Sequence, residues 1–455
     1  MVKSIFNNVL GPVMIGPSSS HTAASVRIGR LVRSLLNEEP LHVRVRFAPS
    51  GSLASTYRGQ GSAMGLAAGL LGLEMTDRRV ADSEKTAIER GLTIEYTIAG
   101  PEADHPNTYF IESKGVSGKE ISLTALSTGG GVIRLVSLNG REVTDDTEYV
   151  NMVMPFPVRS SVSLPFTNHH EAYKLLSGGG ASVSALAENY ELAACNVDIE
   201  KIKGAALDVY RVMTESEHRG RSGTSYSDRI LPGQSHLIEE GLRDARVPDA
   251  GLINDIIVSV TSVMECKSSM GVIVAAPTAG SCGVLAGTLA AIVRRFDYSS
   301  VMVEEGMMAA GLTGLMIDMG AGFAGEEGGC QYECGSASAM TAAALASLSG
   351  GSSEIIMAAA SMALQNMLGL ICDPVADRVE VPCLGKNISA SLNAVASANM
   401  ALGGFRQVIP FPEVIDAMLE VATSLDRRYR CTCLGGLSVT PAAKQIEKKL
   451  QFPGD

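Results

Sequence analysis

The segment ICDPVADRVEVPC, residues 371–383, sets two cysteines eleven positions apart, each within two residues of a proline, with Asp373, Asp377, Arg378 and Glu380 between them. A thiol kept only for packing belongs among apolar neighbours in a regular element. Thiols on a bent, charged stretch suit metal ligation better. Nine cysteines occur in all: Cys195, Cys266, Cys282, Cys330, Cys334, Cys372, Cys383, Cys431 and Cys433. An odd number without a secretory signal argues against a disulfide framework and for ligation or catalysis.

No CxxC pair occurs, which makes a structural zinc site the weaker metal reading and a zinc hydrolase a distant one. An iron–sulfur cluster accepts wide, irregular spacing, and small neighbours let backbone N–H groups reach its sulfurs. GEEGGCQYECGSAS around Cys330 and the stretch around Cys372 and Cys383 meet that description. Cys195, Cys266 and Cys282 lie in ordinary Ala/Val/Ser contexts and read as small buried hydrophobes. Cys334 is one helical turn past Cys330 and could face the same pocket; the CxC at 431–433 could do so too, or could simply pack. If three thiolates hold a four-iron cluster, one iron lacks a protein ligand and can serve as a Lewis acid. That is dehydratase chemistry.

Elements must bring these residues together. The segments 41–48, 93–99 and 108–113 alternate with a period of two and predict half-buried strands. Ala24, Ile28, Leu31, Val32 and Leu35 recur at helical spacing, predicting a helix from about Ser20 to Leu36 with Ser19 or Ser20 as its N-cap. The run 154–166 holds three prolines and three serines and reads as a boundary. Beyond it helical periodicity covers 198–217, 250–269, 281–295, 301–319, 334–349, 354–370, 387–403 and 412–425, and strand signals nearly vanish. The expected architecture is an α+β N-terminal domain over 1–155, a linker over 156–170 and a mostly α-helical catalytic domain over 171–455.

With 48 glycines, 20 methionines and no tryptophan, closely packed small-residue helices are favoured over an aromatic-rich β-sandwich. The net charge of −11 comes without a basic stripe, so no nucleic-acid partner is expected. The first 21 residues are apolar for too short a stretch to be a leader, and the Ala-rich helices of 338–371 are broken at 350–354 before they reach membrane-spanning length. A soluble, cytoplasmic protein with no membrane partner is expected.

GPVMIGPSSSHTA (11–23), DHPNT (104–108), STGGG (127–131), APTAGSCG (276–283), GGCQ (328–331), NMLGLICDPV (366–375), VEVPC (379–383) and GGLSVTP (435–441) together resemble the iron–sulfur-dependent L-serine dehydratases, in the single-chain order with the beta part first. The resemblance implies a [4Fe-4S] cluster on Cys330, Cys372 and Cys383, a small amino-acid substrate and a homodimer. It marks His105 and His21 for proton transfer and orientation. Ser18, Ser19, Ser20, Thr22, Gln60, Gly129, Gly130, Thr278 and Asn366 fall in or beside its motifs as candidate substrate-binding residues. The implied reaction eliminates water from a β-hydroxy amino acid, by default L-serine to pyruvate and ammonia, without pyridoxal phosphate.

The pattern is broken at three places. Gln60 stands where the family has a histidine, and a glutamine amide exchanges no proton at neutral pH. GAGFAGEEGG (320–329) replaces a segment of hydroxyl and amide donors and adds Glu326 and Glu327, while an Arg-Glu-Thr becomes RCT (430–432), introducing Cys431. These departures keep two alternatives open: β-elimination on another substrate, such as desulfidation of a β-thiol amino acid, and a non-catalytic sensor of cluster or amino acid.

Overall fold

The alternating segments of the first region form one sheet of six strands: β2 (Pro40–Arg46), β3 (Thr93–Thr97), β4 (Thr108–Gly115), β5 (Glu120–Ser127), β6 (Ile133–Leu138) and β7 (Arg141–Glu142), in the order β3-β2-β4-β5-β6-β7. β2 and β3 run parallel and the other pairs antiparallel. The computed structural model describes residues 2–178 and 181–451. β5 and β6 were not foreseen from the sequence, although both alternate between buried and less buried positions as half-buried strands do.

Two helices, Ala24–Leu36 and Ser62–Leu70, cover the sheet with Ile28, Leu31, Leu66 and Leu70 in its core. They cross at glycines. A Cβ on Gly69 would fall 2.1 Å from the Val26 carbonyl oxygen, and one on Gly29 would fall 2.5 Å from that of Leu66. This close crossing matters because His21 lies just before the first helix and Gln60 just before the second.

The second region is helical, as its periodicity predicts. The long helices Ile199–Arg221, Leu252–Ser268, Cys282–Phe296, Ser300–Gly320, Ser336–Leu348, Ser353–Gln365, Cys383–Leu402 and Phe411–Ser424 match the expected segments within a few residues at most ends. Helices at His169–Ser177, Val183–Ala194, Ser235–Arg243 and Pro441–Gln451 are additional. Ser300–Gly320 is long and apolar enough to cross a membrane, yet it is a core helix, largely buried among its neighbours.

The two regions interlock. Ile5, Phe6, Val9 and Leu10 belong to the helical core, seated where Gly311 and Gly314 leave room on the Ser300–Gly320 helix. Glu191 clamps this segment, accepting from the Ile5 N–H at 2.8 Å and from the Ser4 hydroxyl. A short strand β1 (Val13–Ile15) pairs antiparallel with β8 (Val272–Val274) of the helical region. Three residues offer too little alternation to announce a strand, so β8 went unforeseen. β1 leads into PSSSH and β8 into APTAG, and the two motifs meet where the Ala279 N–H donates to Ser19 Oγ.

Candidate active site

The PSSSH motif folds as a wide π turn over Ser19–Ala23, running directly into the Ala24–Leu36 helix. Ser18, in extended conformation, is its N-cap and accepts from the His21 N–H at 3.3 Å, which corrects the expectation of Ser19 or Ser20. With Ser18 as the cap, the other two serines take partners in the second region. Ser19 Oγ accepts from the Ala279 N–H at 3.1 Å, and Ser20 Oγ donates to Glu326 Oε1 at 2.7 Å. Thr22 Oγ1 donates to the Gln60 carbonyl at 2.9 Å.

His21 is completely buried. Its Nε2 lies 2.7 Å from Thr56 Oγ1, and its Nδ1 is 3.1 Å from Ser18 Oγ and 3.4 Å from Glu326 Oε1. Burial lowers its proton affinity and the Glu326 charge restores only part, so the ring is held neutral. His105 is half-buried. Its Nδ1 accepts from the Asn107 N–H at 3.1 Å, and its Nε2 is 3.6 Å from Glu327 Oε1. Burial lowers its pKa too, opposed by the charge of Glu326.

The sulfurs of Cys330 and Cys372 and a carboxylate oxygen of Glu333 lie within 4.8 Å of one another. Cys330, Cys372 and Cys431 form one buried cluster against Leu370. The hydrogen bonds of the Cys334 and Cys372 thiols, and then the Lys386 charge, hold Cys330 well below the usual thiol range against the effect of burial. Cys383 stands outside the 4.8 Å group: it opens the Cys383–Leu402 helix and packs on the helical core. Burial and then the charge of Cys330 push its thiol up.

The charges between the two cysteines have structural partners. Lys386 Nζ donates to the Ile371 carbonyl and to Asp373 Oδ1, both at 2.7 Å. Asp373 Oδ2 accepts from the Leu437 N–H, and Glu380 accepts from the N–H groups of Ile230 and Leu231. Arg378 bridges the Gly59 carbonyl and Asp228. The charged stretch is thus a strap, tied down on both sides of the sulfurs.

Gln60 Nε2 donates to Asp377 Oδ1 at 2.8 Å and faces Cys431 Sγ at 3.5 Å. Thr278 Oγ1 donates to Glu333 Oε1 at 2.8 Å. Gly129, at φ +97°, lies so close to the turn carrying Glu326 that a Cβ would come within 2.8 Å of the Ala324 nitrogen, while Gly130 sits by the carbonyls of Asn8 and Pro277. A cleft of about 420 Å³ reaches Glu326 from solvent, lined by Ser52, Asp104, Glu327, Arg430 and Thr432 among others. Asn366 is not part of this assembly: it is exposed at the end of the Ser353–Gln365 helix, its amide bonded to Asn393 at 2.8 Å.

Four residues of the site were not singled out in the sequence. Glu333 lies one helical turn from Cys330, as Lys386 does from Cys383, and that spacing was their only signal. Thr56 has none. Arg27 is fully buried and donates to the Gly131 carbonyl, bracing the glycine loop; burial, followed by the neighbouring charge of Arg30, lowers its pKa to about 10.

The sequence was also compared with those of known proteins. Residues 5–136 match the family model of the serine dehydratase beta chain, and residues 145–438 match that of the alpha chain. The L-serine dehydratase of Streptomyces coelicolor is 32% identical over 96% of this chain and 99% of its own length. The L-serine dehydratase 1 of Escherichia coli is 30% identical over 94% and 97%. The probable L-serine dehydratase alpha chain of Bacillus subtilis is 37% identical over 52% of this chain and 80% of its own. With both parts matched in order along one polypeptide, the chain belongs to the serine dehydratase family of enzymes.

Proposed function

We propose that this enzyme is a [4Fe-4S]-dependent lyase that removes water from a small β-hydroxy amino acid, by default converting L-serine to pyruvate and ammonia. The observation that carries the reading is the gathering of Cys330, Cys372 and Glu333 within 4.8 Å, in a buried site that also holds His21, Gln60 and Glu326. The donor set suits the group, because buried soft thiolates favour iron–sulfur ligation and the Lys386 cation beside them offsets negative charge. Cys330, Cys372 and Cys383 would hold it. When bound, it supplies a Lewis acid toward the substrate hydroxyl, making hydroxide a better leaving group.

The remaining work falls to the chain. His105, half-buried beside Glu327 of the cleft wall and held neutral, accepts the α-proton. His21, out of solvent, keeps Ser20 and Glu326 in place, and Glu326 presents a carboxylate to the substrate ammonium. Loss of the proton and of hydroxide leaves an enamine, whose imine tautomer hydrolyses in water to the 2-oxo acid and ammonia. We place the enzyme in the cytoplasm, where nine unpaired cysteines stay reduced, as a homodimer with domains 1–155 and 171–455 joined through 156–170.

A second reading, β-elimination on an amino acid other than serine, is supported by the charged cleft. Asp104, Glu326 and Glu327 line one space with Arg427 and Arg430, and such a wall favours a substrate carrying an additional charged or hydrogen-bonding group. Anaerobic assays of serine, threonine, cysteine and larger β-hydroxy amino acids separate the two. Turnover of serine that vanishes in air supports the main reading; turnover of another substrate alone supports the second. Tight ligand binding with no product from any of them would overturn both.

A further inference from the structure

We propose that Cys431 is a fourth sulfur ligand of the cluster site, held toward it by Gln60. The inference rests on the cluster reading above and extends it to a residue that the three-cysteine set leaves out. Four-iron clusters are generally held by four cysteine thiolates. Among the remaining cysteines of this chain, the surroundings of each decide which one can complete such a set.

Cys431 shares the buried cluster of Cys330 and Cys372. Its backbone is laced to that of Cys372: the Cys372 N–H donates to the Tyr429 carbonyl at 2.8 Å, and the Cys431 N–H donates to the Cys372 carbonyl at 3.1 Å. Ser52 Oγ donates to the Cys431 carbonyl at 3.2 Å, fixing the same residue from the sheet region. Cys431 adopts φ +54°, a left-handed conformation that a side chain with a Cβ takes only when the surroundings impose it. Its side chain lies buried beside Cys372.

The other two candidates are held differently. Cys334 also reaches Cys330, but it packs in a separate apolar cluster with Val284, Ala337 and Ala390, and its sulfur already receives the Asn387 amide at 3.8 Å. Cys433 is only half-buried, with its sulfur toward the Pro374 carbonyl and Asp377.

Gln60 gives the sulfur a donor. Its Nε2 carries two N–H bonds, one directed to Asp377 Oδ1 and the other to Cys431 Sγ. An N–H aimed at a ligand sulfur is the kind of outer contact that tunes iron–sulfur sites. Gln60 and Cys431, 371 positions apart in the chain, touch each other. Substrate would have to compete with the Cys431 thiolate for the fourth iron.

The test uses the full chain loaded anaerobically with iron and sulfide, as wild type and as Cys431→Ala and Gln60→Met. Each is treated with a stoichiometric amount of ferricyanide, and loss of one iron is followed by the three-iron EPR signal. The proposal expects the wild type to lose the fourth iron at least about tenfold more slowly than Cys431→Ala, with Gln60→Met between them. Equal rates in wild type and Cys431→Ala overturn it. Mössbauer spectra of the wild type alone need no variant: iron sites with sulfur ligands only support the proposal, and one iron with oxygen or nitrogen coordination refutes it. Failure of every form to take up iron would instead defeat the cluster reading itself.

Discussion

The carboxylate of Glu326 lies 3.4 Å from His21 Nδ1, with both side chains out of solvent, and its charge also reaches His105. One acid thus supports the proton affinity of two histidines that burial depresses. Glu326→Gln keeps an acceptor for Ser20 and removes the charge. The His105 pKa should fall further, so the acidic limb of the kcat/KM profile moves to lower pH. His105→Asn should cost about a hundred- to ten-thousandfold in kcat, the usual worth of a positioned acid–base group. Steady-state rates across pH check both.

His21 also ties stability to pH. Its folded pKa lies below the unfolded value of about 6.5, so the unfolded chain binds a proton that the folded chain refuses. This contribution is intact above about pH 6.5 and is lost progressively as the pH drops toward the folded pKa. His21→Gln should flatten the fall in denaturation midpoint between about pH 6.5 and 5 relative to wild type. An unchanged slope would show that His21 titrates freely in the fold.

Asp377 has the opposite sign. Burial pushes its carboxyl up to about 8, with the Gln60 amide and Arg378 opposing that rise only in part. The folded state keeps a proton that the unfolded state has released, so its effect reduces stability as pH rises from about 4 to 8. Asp377→Asn still accepts from Gln60 and should therefore be more stable than wild type at pH 8, with the gap closing toward pH 4. Chemical denaturation at several pH values measures it.

Gly314 is where the N-terminal segment docks: a Cβ there would stand 2.2 Å from Val9 Cγ1. Gly314→Ala should lower stability by about 1–3 kcal/mol, the range of core overpacking. Val9→Ala in the same chain should recover part of that loss, which a thermal melt of the double variant reads directly.

Arg27 holds the Gly131 carbonyl while its Nε and Nη2 find no partner among the described residues. Replacing a buried, partly unsatisfied cation with an apolar chain need not destabilise the fold. Arg27→Met should instead loosen the loop that backs the Glu326 turn, lowering kcat/KM by up to about a hundredfold while the melting temperature changes little.

The sequence disclosed what depends on local spacing. Helices such as Ser300–Gly320 and strands such as β2 follow from periodicity, and the thiols of Cys330 and Cys372 stood out because their surroundings were wrong for packing. Contacts between distant segments left no such trace. The β1–β8 pairing, the docking of Val9 on Gly314 and the meeting of Gln60 with Cys431 are separated by hundreds of residues and carry no period. Ser18 caps the turn while Ser19 and Ser20 are engaged by Ala279 and Glu326, partners hundreds of residues away that local propensity does not encode. Asn366 stood out as the first residue of the motif NMLGLICDPV, but its helix ends with the amide turned to Asn393.

The most direct test of the central claim is an iron and sulfide count with an absorption spectrum on anaerobically prepared protein, comparing wild type with Cys330→Ser and Cys372→Ser. The account predicts about four irons and four sulfides per wild-type chain, a brown thiolate-to-iron absorption that bleaches in air, and loss of both in either variant. A colourless wild type carrying stoichiometric zinc, or iron retained undiminished in the variants, would contradict it.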